Sequence, residues 1–167
     1  KEFNEKSGAF VTIYNHPDKE LRGCIGYPEP SMKLIESVMS AAINTSMDPR
    51  FPRLQEEELE EITIEVTVLT KPELMKGKHK DFPKKIKIGQ DGLIVKYQNN
   101  SGLLLPQVPT EQDPVWDAEQ FLSETCWKAG IDPSSWIDER TEVYKFQGQI
   151  FTEEEPKGKV IERKLSD

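Results

Sequence analysis

Residues 21–26 read Leu-Arg-Gly-Cys-Ile-Gly, and their types and spacing could support thiol chemistry. If the run is extended, its period of two puts Arg22, Cys24 and Gly26 on one face and Leu21, Gly23 and Ile25 on the other. A guanidinium beside a thiol favours the thiolate, which is the nucleophilic and metal-binding form. Gly26 on the same face would leave space for another molecule to approach. The same residues equally suit a structural role: a free cysteine packs as a small hydrophobe, and glycines in strands, such as Gly23, mark bulges or close backbone approach.

Arginine usage adds a second clue. Of five arginines, Arg22, Arg50 and Arg53 stand in glycine- or proline-constrained segments, where a fixed guanidinium fork could recognise a carboxylate or phosphate. Each could instead pair with one of the 30 acidic residues. Glu65 could be such a partner, or a general base, or simply a solvent-facing strand residue. Gln107, flanked by Pro106 and Pro109, offers an amide to a ligand or to local backbone. Cys126 lies 102 positions from Cys24, and the only histidines are His16 and His79, so no zinc-ligand spacing exists and no metal site is expected. GxSxG, GxxxxGK[ST] and GxGxxG signatures are absent, and no cofactor is expected.

These residues must be positioned by elements that the patterning locates. Phe10–Tyr14 and Leu21–Tyr27 flank an Asn-His-Pro-Asp-Lys turn and predict a hairpin. Ser31 is a candidate helix cap, and Ile35, Val38, Met39 and Ala42 repeat at helical spacing until Asp48-Pro49, predicting a helix over a sheet face. Asp48 to Leu54, with two prolines, is a stiff extended loop. The glutamates of residues 56–61 read as a solvated face. Ile62, Ile64, Val66 and Val68 alternate with Thr63, Glu65 and Thr67, predicting a strand with its apolar set on one face. Ile86–Ile88 and Leu93–Tyr97 flank an Asp-Gly hairpin signal at 91–92, and Gly102–Val108 is a further buried strand. Pro114–Ala129 predicts a helix with Trp116, Phe121, Leu122 and Cys126 inward and Gly130 as its stop. Val143–Phe151 is a last strand, and residues 153–167 form a charged tail. Hairpins with only two strong helices predict an α+β, largely antiparallel architecture rather than βαβ order.

With 167 residues the chain can bury a substantial core. Its 22 basic against 30 acidic residues leave a net charge of −8, so the average surface repels nucleic acid and anionic membrane. Residues 71–87 depart from that average, with seven lysines against Glu73 and Asp81, a local net of +5. This segment is expected to be a mobile surface loop; it lacks the arginines and aromatics that grip nucleic acid, which is therefore an unlikely partner. No signal-like start or membrane-length apolar run is present, and a cytoplasmic location without membrane contact is expected.

Taken in order, Leu21–Gly26, Asp48-Pro49-Arg50-Phe51-Pro52, residues 102–108, and Phe121-Leu122 through Cys126 to Gly130 resemble the AMMECR family, most of all its archaeal and bacterial members, from about Gly8 to Glu155. The resemblance implies a two-part α+β fold of antiparallel sheets packed by helices, two intertwined subdomains of one domain, with the cysteine motif near a cleft between the parts. It implies no settled reaction, but an association with a Memo-like protein and a radical SAM protein. Family motif positions fall on residues 21–26, 48–52, Glu65 and Gln107. The amphipathic helix that the resemblance implies ahead of the first strand is missing from this chain.

The leading expectation is an enzyme or enzyme component. Cys24 would be nucleophile or redox thiol, supported by Arg22; Glu65 would move protons or orient Arg22; Arg50, Arg53, Gln107, Gly23 and Gly26 would bind a small anionic substrate. The alternative is a noncatalytic binding or adaptor module with a structural cysteine, docking a protein partner or small anion through the Arg50–Arg53 loop.

Overall fold

Ala9–Asn15 (β1) and Leu21–Tyr27 (β2) form the predicted antiparallel hairpin. They open the first of two compact units in the computed structural model, which describes residues 2–164. That unit consists of the chain through Lys71 together with Gln149–Lys164; the second is the intervening Pro72–Gly148. The fold is α+β with antiparallel pairing, as expected.

In the first unit Ile62–Leu69 (β3) pairs antiparallel with β1, giving the order β2-β1-β3, with Thr12 opposite both Cys24 and Glu65. The helix Leu34–Thr45 (α1) packs on β1 and β2. The N-cap is Lys33 rather than Ser31: its carbonyl accepts the Ser37 N–H at 2.9 Å, and its N–H donates to Glu36 Oε2 at 3.2 Å.

Two faces are the reverse of those the patterning predicts. On α1 the buried residues are Ser37, Ala41 and Thr45, while Ile35, Met39 and Ile43 point outward. Close approach of helix to sheet explains this. A Cβ on Gly23 would stand 2.7 Å from the Thr45 carbonyl oxygen, so only small side chains fit the contact. The Thr45 hydroxyl accepts the Ile25 N–H at 3.1 Å, and Ser37 Oγ donates to the Ser7 carbonyl at 2.8 Å. Gly23→Ala is accordingly expected to destabilise the protein by about 2 kcal/mol in urea unfolding; a loss below about 0.5 kcal/mol would mean that the helix yields freely.

On β3, Thr63, Glu65 and Thr67 are 7%, 2% and 0% exposed, whereas Ile64 is 38% exposed. The polar face of the strand is therefore the covered one, and Glu65 is not a solvent-facing residue.

In the second unit Asp91–Tyr97 (which becomes β5 after Glu73–Leu74, β4) pairs with Asn100–Leu104 (β6). Glu142–Glu153 (β7) receives β4 and β5 along its first half. The expected Asp-Gly turn is instead the start of β5. Asp91 is fully buried and accepts the Lys87 N–H at 2.9 Å, Gln147 Nε2 at 3.2 Å and Lys145 Nζ at 3.3 Å; those partners hold it in the ladder. The lysine-rich segment is not a bare loop: it contains β4 and a 3-10 turn, His79–Lys85, that buries Phe82 completely. Ala118–Lys128 (α2) starts later than Pro114 because Asp117 caps it, accepting the Gln120 N–H at 2.8 Å. Phe121, Leu122 and Cys126 face the core and Gly130 ends the helix at φ +75°, as predicted.

β7 continues into the first unit, where Ile150–Glu153 pairs with Val160–Arg163 (β8). The charged tail thus includes a strand; its last three residues lie outside the described ones. Among the described residues no helix is long and apolar enough to cross a membrane.

Candidate functional site

Cys24, Thr12 and Glu65 occupy adjacent positions on β2, β1 and β3, forming one row across one face of the first unit's sheet. Thr12 Oγ1 donates to Cys24 Sγ at 3.3 Å. At the far end, Arg163 Nη1 of β8 lies 3.3 Å from Glu65 Oε2. Thr67, two residues along β3 from Glu65 and on the same face, is fully buried, and its hydroxyl finds no hydrogen-bond partner among the described residues.

Cys24 is half-buried, and burial pushes its thiol up from the ordinary value. The Thr12 hydrogen bond and the Arg50 charge oppose that rise, while Asp48 and Glu65 add to it. At rest the group is a neutral thiol. Fully buried Cys126 is pushed up to about 11 by burial.

The backbone of Cys24 is held by the Asp48-Pro49-Arg50 loop, which does the work of a neighbouring strand. The Cys24 N–H donates to Asp48 Oδ2 at 3.0 Å, and its carbonyl accepts from Arg50 Nη2 at 3.2 Å. Buried Asp48 also accepts the Arg50 N–H at 3.0 Å, Nε at 3.1 Å and Nη2 at 2.7 Å. The Arg50 side chain, aided by these backbone N–H groups, holds the Asp48 carboxyl well below the usual carboxylate range.

Arg22 does not support the thiolate. The β1–β2 ladder pairs Ile13 with Gly23 but Tyr14 with Leu21, leaving Arg22 as the extra residue of a bulge, which breaks the period of two. Its guanidinium forks onto Glu58, with Nε 2.8 Å and Nη2 3.1 Å from the carboxylate oxygens. Glu58 therefore leaves the solvated glutamate face predicted for it, and Arg22 holds its carboxyl below the ordinary value, helped by the Gln55 N–H.

The space expected above Gly26 is filled, because a Cβ there would lie 2.3 Å from the ring of Phe10. Gly23 likewise abuts α1. Arg53 is exposed, and its carbonyl accepts from Gln55 Nε2 at 2.8 Å. Gln107 belongs to the second unit, 4% exposed; its carbonyl caps the turn that follows, while its side-chain oxygen has no partner among the described residues. Of the predicted set, then, the row brings Cys24 and Glu65 together with Arg50 behind Cys24. Thr12, Asp48, Glu58, Thr67 and Arg163 were not predicted. Thr12 and Asp48 carried a readable signal, a hydroxyl opposite the cysteine in the hairpin and an acid two residues before Arg50; Arg163 in the charged tail carried none. Among the described residues no group of three or more His, Cys, Asp and Glu side chains is placed to hold a metal ion.

The chain is similar to several archaeal proteins. Protein MJ0810 of Methanocaldococcus jannaschii is 54% identical over 165 residues, covering 98% of this chain and 81% of its own length. Protein PYRAB00100 of Pyrococcus abyssi is 52% identical over 169 residues, covering 99% and 82%. The crystal structure of the uncharacterized protein PH0010 from Pyrococcus horikoshii superimposes with a TM-score of 0.93 at 50% identity, over 98% of this chain and 82% of that one. The AMMECR1 family model matches residues 1–151. On these grounds the chain belongs to the AMMECR1 family.

Proposed function

We propose that this protein is an enzyme or enzyme component in which Cys24 is the reacting thiol of a small-molecule site. The row Cys24–Thr12–Glu65 carries the reading: the thiol is half-buried, hydrogen-bonded by a hydroxyl and set on a covered polar sheet face. Burial of such a face is unfavourable unless polar partners satisfy it. The step the row suits is addition to a carbonyl. Sγ forms a bond to the carbonyl carbon, the C=O π pair becomes a lone pair on oxygen, and the thiol proton passes to that oxygen, while the Thr12 hydroxyl holds the sulfur in place. Glu65, anchored by Arg163, is a fixed charge that orients the row. The Memo-like and radical SAM proteins implied by the family resemblance enter this reading as supplier or consumer of the molecule.

Alkylation by iodoacetamide, mapped by mass spectrometry, tests it. Cys24 is expected to react in the native protein, faster as pH rises through and beyond 9.0, while Cys126 reacts only on unfolding. Thr12→Val removes the hydrogen bond to sulfur and should slow Cys24 about fivefold. A Cys24 that labels only when the protein unfolds is structural, and the proposal fails.

A further inference from the structure

We infer that the lysine-rich surface of the second unit docks a short acidic segment of a partner protein. This surface is separate from the Cys24 row and does not depend on the reading of that thiol.

Residues 76–87 hold Lys76, Lys78, Lys80, Lys84, Lys85 and Lys87 against a single acid, Asp81, and all six lysines are exposed. The backbone beneath them is fastened. Phe82 and Ile86 enter the second unit's core, and His79 Nδ1 donates to the Trp136 carbonyl at 2.7 Å. Lys85 Nζ donates to the Lys76 carbonyl at 2.6 Å, which draws the two halves of the segment together, and Lys145 Nζ donates to the Lys85 carbonyl at 3.0 Å. The lysines therefore project from an ordered backbone, which leaves less chain entropy to be lost on binding.

These charges are also uncompensated. Among the described residues the only ion pair made by any of the six is that of Lys84 with Asp81 at 3.6 Å, an exposed pair that contributes little. Elsewhere Arg22, Arg50, Arg140 and Arg163 each meet a carboxylate. Solubility does not call for grouped cations in a chain whose net charge is already −8. Grouping them sets like charges against one another, and an acidic partner relieves that repulsion.

The chemistry of the surface selects a polypeptide carboxylate over a nucleic acid or a membrane. Lysine ammonium groups on flexible stems meet carboxylates in many orientations, whereas the planar fork suited to phosphate belongs to arginine, and none lies between residues 71 and 87. Bases have no aromatic face to stack on, because Phe82 is fully buried and His79 stacks against it with ring centroids 4.4 Å apart. A long polyanion or an anionic membrane would extend past the lysines and meet the acidic remainder of the chain. A short acidic segment, within about a Debye length of the ammonium groups, does not.

Fluorescein-labelled hexaglutamate, titrated with the protein and followed by anisotropy, tests the inference. Binding is expected at about 50 mM salt and should weaken on the order of tenfold by about 200 mM. Replacing Lys78, Lys80 and Lys84 together by glutamine should weaken it by roughly tenfold. A control variant with Lys19→Gln, Lys128→Gln and Lys159→Gln changes the net charge equally at exposed lysines elsewhere, and should stay within about twofold of wild type. Equal losses in the two variants trace the binding to net charge and overturn the inference, as does the absence of binding at low salt. Tighter binding of labelled hexathymidylate or of phosphatidylserine vesicles than of hexaglutamate overturns it in favour of a nucleic acid or a membrane.

Discussion

Replacing Asp48 with alanine is expected to lower stability by about 3 kcal/mol at neutral pH. The carboxylate accepts two backbone N–H groups and two bonds from the Arg50 guanidinium, and at 2% exposure it has little water to replace them. Its loss leaves the Cys24 N–H on β2 without an acceptor and releases Arg50. The pH dependence identifies the mechanism. Because the folded-state carboxyl titrates below its ordinary 3.8, its contribution is fully present above that value and is lost as pH falls through the lower folded-state value. The stability gap between wild type and Asp48→Asn should therefore be constant from pH 8 to 5 and shrink only below about pH 4. Chemical unfolding at a series of pH values measures it; a gap that already closes between pH 7 and 5 would assign the effect to another group. Asp48→Asn also removes a negative charge beside the thiol, so its effect on Cys24 alkylation reports how firmly the loop holds β2.

Gly102→Ala is expected to be as damaging in the second unit, at about 3 kcal/mol. A Cβ at this position of β6 would stand 2.5 Å from the Ala129 nitrogen, 2.8 Å from its Cα and 2.8 Å from the Thr125 carbonyl oxygen. All three are backbone atoms at the end of α2, so no side-chain rotation relieves the clash and strand or helix must move. Moving α2 loosens the packing of Cys126, which lies on its buried face. Thermal unfolding should show the loss, and native-state alkylation of Cys126 should become measurable. A variant with wild-type stability and a protected Cys126 would show that β6 and α2 can separate at little cost.

Much of the first unit is legible in its residues. The β1–β2 hairpin follows from two apolar runs around a turn rich in Asn, Pro and Asp, and β3 from its alternation. In the second unit Phe121, Leu122, Cys126 and Gly130 announce both the buried face and the end of α2. The readings that fail do so for reasons of packing. Asp91-Gly92 has the chemistry of a turn, yet Lys87, Lys145 and Gln147 bond the aspartate and the Phe146 ring lies over the glycine. Residues 71–87 look like a charged loop because lysines outnumber everything else, while the residues that anchor them, Met75, Phe82 and Ile86, are scattered singly among them.

The candidate site divides in the same way. Cys24 and its hairpin, the constraint on Arg50 and the strand that carries Glu65 follow from local pattern, since turn chemistry and a period of two act over a few residues. Which face of β3 is covered does not, because an alternating strand is compatible with either face until tertiary packing chooses one. Nor does the pairing of charges. Arg22 meets Glu58 across 36 positions, and Arg163 meets Glu65 across 98. A sequence holding 30 acids offers every arginine many partners, and only the bulge at Arg22 and the register of β8 on β7 select these. That selection ties Arg22, read in sequence as a fork for an anion, to Glu58, and brings Arg163, which gave no sequence signal, to Glu65.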